Sequence, residues 1–279
     1  MKKRIITALI AVAVIVVPCF AFMHTVVFPI ILSIFSAIAV YEMIKVTGSK
    51  NVFMISFSCL TAAFIPFIFH FNLKVPFMPL IAAYILIYLT MMVFRYQKTK
   101  FSDVLMAMFS TLAIPSALSI FLILRDCYIT YPEKYTKENG IYFILLAMLC
   151  CWGTDTFALF SGKLFGKRKL CPNISPNKTV AGAVGGVLCT LALNIGVFFI
   201  FDKFFFTLHT LVWWQIIIIS AVLSVISIFG DLSASIIKRN HDIKDFGNIF
   251  PGHGGVMDRI DSCVFVLAGT YLALYFVNI

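Results

Sequence analysis

The 279 residues are 61% hydrophobic and 12% charged, with a mean hydropathy of +1.01, which excludes a soluble globular domain. A net charge of +10 invites a nucleic-acid partner, but no basic patch interleaved with aromatics lies outside the apolar runs, so that class is excluded as well. The eight cysteines show no CxxC spacing and fall mostly in apolar runs, so they read as small hydrophobes, not as a disulfide framework or zinc site.

Apolar runs long enough to cross about 30 Å of hydrocarbon, roughly 17 to 25 residues each, can be drawn at 4–19, 26–43, 52–69, 76–94, 104–124, 141–160, 180–201, 211–229 and 256–277. The expected fold is therefore an all-α polytopic membrane protein of about nine transmembrane helices. It forms a single membrane domain, with N-terminal helices in 1–140 and the working half in 141–279. Alternating connections divide the 22 Lys and Arg residues seventeen to five, which puts the N-terminus and the richer side in the cytoplasm. Those cations would also attract anionic lipid headgroups.

Met1-Lys-Lys-Arg before an apolar run resembles the start of a signal peptide, but Pro18-Cys19-Phe20 offers no small-x-small cleavage site, so an uncleaved first helix is expected. Glu42 closes the second run near Lys45 and reads as half of an interfacial ion pair. Tyr84, Tyr88 and Tyr96 fit packing and an interfacial belt. The connection 125–140 is a polar loop with no assigned role. Asp155 then lies about a turn and a half inside the sixth run, where an ionised group is costly and marks function more often than packing.

The segment 161–179, SGKLFGKRKLCPNISPNKT, gathers Lys163, Lys167, Arg168, Lys169 and Lys178 among hydroxyls and amides that include Ser175, Asn177 and Thr179. Such a set suits phosphate, although Lys-rich connections on the cytoplasmic side are also routine. The run 181–186 (AGAVGG) offers a small-residue face for close helix contact. No strand is expected before it, so it is not a nucleotide-binding glycine loop.

The stretch 230–261 interleaves Lys238, Arg239, Lys244 and Arg259 with Asp231, Asp242, Asp245, Asp258 and Asp261, and adds His253 and four glycines from Gly247 to Gly255. If the eighth helix continues to Arg239, Asp231, Ser235 and Lys238 share one stripe. Asp258 and Asp261 share the first turns of the last helix. Acids gathered beside cations call for a metal ion or those cations to neutralise them. Hard oxygen ligands point to Mg2+, which completes its shell with water and phosphate oxygens. The glycines would admit backbone N–H groups close to a phosphate. A charged loop whose acids merely balance its bases is the plain alternative.

The order Ser235, Lys238-Arg239, Lys244-Asp245, Gly247, Phe250-Pro251, His253-Gly254-Gly255, Asp258-Arg259, Asp261 resembles the signature of the phosphatidate cytidylyltransferases, or CDP-diglyceride synthases. Ser175-Pro176-Asn177-Lys178-Thr179 is similar to a second element of that family, which often continues to Glu-Gly. Here Ala181-Gly182 follows, so any role of that Glu does not carry over. The resemblance implies that CTP and phosphatidic acid give CDP-diacylglycerol and pyrophosphate at a cytoplasmic site in the cell membrane, in phospholipid biosynthesis, with a homodimer suggested.

On that reading Asp231, Asp258 and Asp261 hold Mg2+. Lys238, Arg239, Lys244 and Arg259 neutralise phosphate oxygens, beside Asp245 of the same signature. His253 donates to pyrophosphate or braces its turn. Asp155, Lys163, Ser175, Asn177, Lys178, Thr179 and Ser235 contact substrate. Two other classes compete. A cation-coupled transporter would spread its charges across the bilayer, whereas these acids gather at one boundary. A phosphotransferase consuming CDP-lipid would be expected to carry an Asp-Gly-x-x-Ala-Arg run, which is not found.

Overall fold

A computed structural model describes residues 21–206, 211–250, 252 and 254–278, with side chains described as far as 276. Eight of its helices are long and apolar enough to cross a membrane. The run expected at 4–19 lies outside the described residues. Helix is the form that long apolar runs take in hydrocarbon, because each backbone N–H and C=O must find its partner within the segment.

The helices are α1 (Val27–Val46), α2 (Val52–His70), α3 (Phe77–Phe94), α4 (Phe101–Arg125), the short α5 (Cys127–Thr130), α6 (Lys137–Met148), α7 (Thr154–Phe165), α8 (Val180–Phe204), α9 (Trp213–Asn240) and α10 (Met257–Asn278). A π turn, Leu149–Gly153, joins α6 to α7 within one spanning segment, Lys137–Phe165. No strand was expected, yet Lys169–Cys171 (β1) and Ser175–Thr179 (β2) pair antiparallel, Lys169 opposite Thr179 and Cys171 opposite Ser175. Short alternation was not visible there because Pro172 and Pro176 and the lysines read as loop.

The chain divides into two compact units, the first from Met1–Leu122 with His241–Arg259, the second from Ile123–Asn240 with Ile260–Ile279. In the first, α1 packs on α2. Asn51 caps α2 by accepting from the Met54 N–H at 3.2 Å, and its amide donates to Thr99 Oγ1 at 2.9 Å. A buried hydroxyl chain runs from Ser58 Oγ to Tyr88 Oη at 2.6 Å and on to Thr111 Oγ1 at 3.1 Å, tying α2 to α3 and α4. Tyr84 and Tyr88 are the buried residues of α3, whose other side chains are largely uncovered, as suits a lipid-facing helix.

In the second unit α7 and α8 cross where side chains are small. A methyl on Gly182 would lie 2.7 Å from the Ala158 carbonyl oxygen, and one on Gly186 would lie 2.9 Å from that of Thr154. The glycine run therefore serves helix contact, as its composition suggested. Thr179 caps α8 by accepting from the Gly182 N–H at 3.1 Å. The π turn is fastened from three helices. Cys151 Sγ is 2.9 Å from Ser262 Oγ, the Cys151 carbonyl accepts from Ser227 Oγ at 3.4 Å, and Asn194 Nδ2 donates to Cys150 Sγ at 3.2 Å. The cysteines among the described residues are free thiols.

Candidate active site

The charged stretch falls into both units, and each part has its own geometry. In the second unit α9 does continue to Asn240, so Asp231, Ser235 and Lys238 lie along one stripe. A methyl on Gly230 would be 2.9 Å from the Ser262 Cα, so α9 and α10 make backbone contact one residue from Asp231 and one from Asp261. This close crossing is what brings the two carboxylates together. Asp261 is 7% exposed, accepts from the Ser262 N–H at 2.7 Å and lies 3.9 Å from Lys238 Nζ. The charges of Asp231 and Asp155 also bear on it.

Asp231 is ion-paired with Lys178 of β2, and Arg239 Nε donates to the Ile174 carbonyl between the strands at 3.3 Å. The hairpin thus delivers a lysine to α9 and is itself fastened to that helix's end. Of the remaining expected residues in this unit, Ser235 is buried, Ser175 is half-buried on β2, and Asp155, Lys163 and Asn177 are exposed. Thr179 is buried and spends its hydroxyl as the cap of α8. The unit therefore assembles Asp155, Lys178, Asp231, Lys238 and Asp261 as one cluster of mixed charge.

In the first unit, segment 241–259 folds around carboxylates. Asp258 Oδ2 accepts from the Phe246 N–H at 2.8 Å and the Gly255 N–H at 3.0 Å. Phe250 and Gly254 form an isolated bridge, and Gly252 and Gly254 adopt φ of +77° and +82°, conformations that need glycine. Lys244, Asp245 and Arg259 are exposed. His253 lies outside the described residues, as does Pro251.

The residue that sequence reasoning missed is Glu42 of α1. Read as an ion-pair partner of Lys45, whose charge does bear on it, it also accepts from the Val256 N–H at 3.1 Å and the Met257 N–H at 2.8 Å, and is 2% exposed. Methyl groups on Gly247 or Gly255 would overlap its carboxyl. Those two glycines, expected to admit a phosphate, admit an internal carboxylate. The available signal was an ionisable group at the end of an apolar run, a place where such a group is a functional-site hypothesis by default.

Among the described residues no group of three or more His, Cys, Asp or Glu side chains is placed to hold a metal ion. Asp231 and Asp261 do supply hard oxygen donors whose charges meet, and the near-complete burial of Asp261 beside a second acid favours a cation between them. The pair fits Mg2+, which takes one or two carboxylates and fills its other positions with water and phosphate oxygens. Asp258, the third acid of the expected set, has Oδ2 committed to the loop it closes.

A model of the Cytidylyltransferase family matches residues 2–277. The chain is 44% identical over 150 residues to the phosphatidate cytidylyltransferase of Staphylococcus saprophyticus and 41% identical over 150 residues to that of Staphylococcus haemolyticus, in each case covering 53% of this chain and 55% of the relative. It is 42% identical over 132 residues to the phosphatidate cytidylyltransferase of Staphylococcus aureus, covering 47% and 48%. The chain spans about half the length of the relatives it matches.

Proposed function

Because this chain belongs to the cytidylyltransferase family, we propose that it transfers the cytidylyl group of CTP to phosphatidic acid, leaving CDP-diacylglycerol in the bilayer and releasing pyrophosphate. The observation that carries this reading is the cluster of Asp231 and Asp261 with Lys178 and Lys238.

Phosphatidate and CTP are both anions, so the first requirement of the reaction is to suppress their repulsion. A phosphatidate oxygen attacks the α-phosphorus of CTP, that P–O bond forms, and the bond to the bridging oxygen of the β-phosphate breaks. No general base is required, because a phosphate monoester with a second pKa of about 6 is already largely a dianion at neutral pH. The chain must instead hold two phosphates in line and neutralise charge as it moves to pyrophosphate.

Lys178 and Lys238 are held beside acids in the second unit and serve that purpose. Lys244, Arg259 and Arg239 are exposed, and the family resemblance assigns them to phosphate oxygens, Asp155, Lys163, Ser175, Asn177 and Ser235 to substrate contact, and Asp245 and His253 to the signature stretch. Asp231 and Asp261 would hold Mg2+, which bound to the CTP phosphates would act as a Lewis acid on the group being transferred. Thr179 keeps the Lys178 strand joined to α8. On the division of Lys and Arg the segment 230–261 faces the cytoplasm of the cell membrane, and the family resemblance suggests a homodimer.

Membranes carrying the chain, incubated with labelled CTP, phosphatidic acid and Mg2+, are expected to move label into the chloroform phase. EDTA and Asp231→Asn are each expected to abolish that transfer. Absence of labelled lipid from inserted wild-type protein would count against the reaction.

A further inference from the structure

Resting on the transfer reaction proposed above, we infer that Glu42 is a positioning residue for it, its carboxylate being the internal anion around which the glycine-rich loop and the first turn of α10 are set. Glu42 lies in an otherwise apolar stretch of α1, and its two oxygens each take a backbone N–H, Val256 at 3.1 Å and Met257 at 2.8 Å. These are donors of a helix start, which have no partner within the helix. Such groups are ordinarily served by a side chain next to them in sequence. Here the acceptor comes from 214 and 215 residues away, and its negative charge suits the helix N-terminus.

The glycines make the arrangement specific. Gly247 and Gly255 approach the carboxyl so closely that a methyl on either would overlap it. The Gly255 N–H donates at the same time to Asp258 Oδ2, at 3.0 Å. One loop residue therefore lies against both acids, and the bonded amides of Val256 and Met257 immediately precede Asp258 and Arg259. A shift of this turn carries Asp258 and Arg259 with it. Glu42 makes no substrate contact on this account; its effect passes through those two residues. Displacement of about 1 Å is enough to cost about 100-fold in rate.

The test uses the purified full chain in lipid nanodiscs. Glu42→Gln leaves one oxygen and turns an amide N–H2 toward a backbone N–H. It is expected to lower kcat about 100-fold while the half-saturating CTP concentration moves less than about threefold. Glu42→Asp, which keeps both oxygens, is expected to recover part of the rate. Hydrogen exchange at the Val256 and Met257 amides is expected to rise at least about tenfold in Glu42→Gln, with α7 and α8 unaffected.

Gly255→Ala is expected to depress the rate in the wild-type background and to add no loss to Glu42→Ala, because truncation removes the overlap. Unchanged exchange at the two amides, or an additive Gly255→Ala, overturns the inference. Should Glu42→Gln fail to insert, Gly247→Ala carries the exchange measurement from the loop side. A wild-type chain that makes no labelled lipid defeats the reaction and leaves the exchange result to decide whether Glu42 holds the turn, so the two failures are distinguishable.

Discussion

In the unit built from Ile123–Asn240 and Ile260–Ile279, acids meet cations: Asp231 pairs with Lys178, and Asp261 lies 3.9 Å from Lys238. In the unit containing α1 and segment 241–259, Glu42 and Asp258 each take two main-chain N–H groups. An anion paired with a side-chain cation can exchange that partner for a phosphate or a metal ion, since the alternatives are similar in charge. An anion that completes a helix start and a glycine turn cannot leave without stranding buried donors. The first arrangement suits chemistry and the second suits placement.

The largest effect that would break this division is expected from the first group. Asp261→Asn should lower kcat by about 1,000-fold, on the scale of removing a principal electrostatic group, while hydrogen exchange in 246–257 stays at wild-type rates. A loosened loop in that variant would merge the two roles.

Asp258→Asn is expected to cost about 100-fold in rate and to speed exchange of the Phe246 and Gly255 amides, which donate to its Oδ2. Rate loss with unmoved exchange would transfer Asp258 to the chemical group. Next in size, Lys238→Ala should lower kcat/KM for CTP about 10- to 100-fold, the range of a lost charge-assisted hydrogen bond, checked by initial rates at limiting CTP.

The smallest effect is expected from Ser58→Ala in the buried hydroxyl chain of α2, α3 and α4. It should lower stability by about 1 kcal/mol and leave kcat unchanged, measured by thermal unfolding beside the activity assay.

The sequence was legible where the signal is carried by side chains. Long apolar runs gave the spanning helices, and the spacing of Asp231, Ser235 and Lys238 gave their stripe because α9 runs unbroken to Asn240. Glycines of the 181–186 run marked the α7–α8 crossing. What stayed hidden depends on backbone partners. Nothing in the composition around Glu42 says that its carboxylate will meet amides 214 residues later, and Lys45, three residues on, offered a nearer partner. The same holds for Gly247 and Gly255, since a glycine reports that something comes close without saying what. The hairpin escaped notice because its pairing rests on a short main-chain ladder between segments containing Pro172 and Pro176.

The most direct test of the account is the initial rate at which purified chain moves label from CTP into chloroform-soluble lipid with phosphatidic acid and Mg2+, wild type beside Asp261→Asn. Label transfer by the wild type that requires Mg2+ and falls about 1,000-fold in the variant is the predicted result. Equal rates in the two proteins, or transfer indifferent to Mg2+, would contradict it.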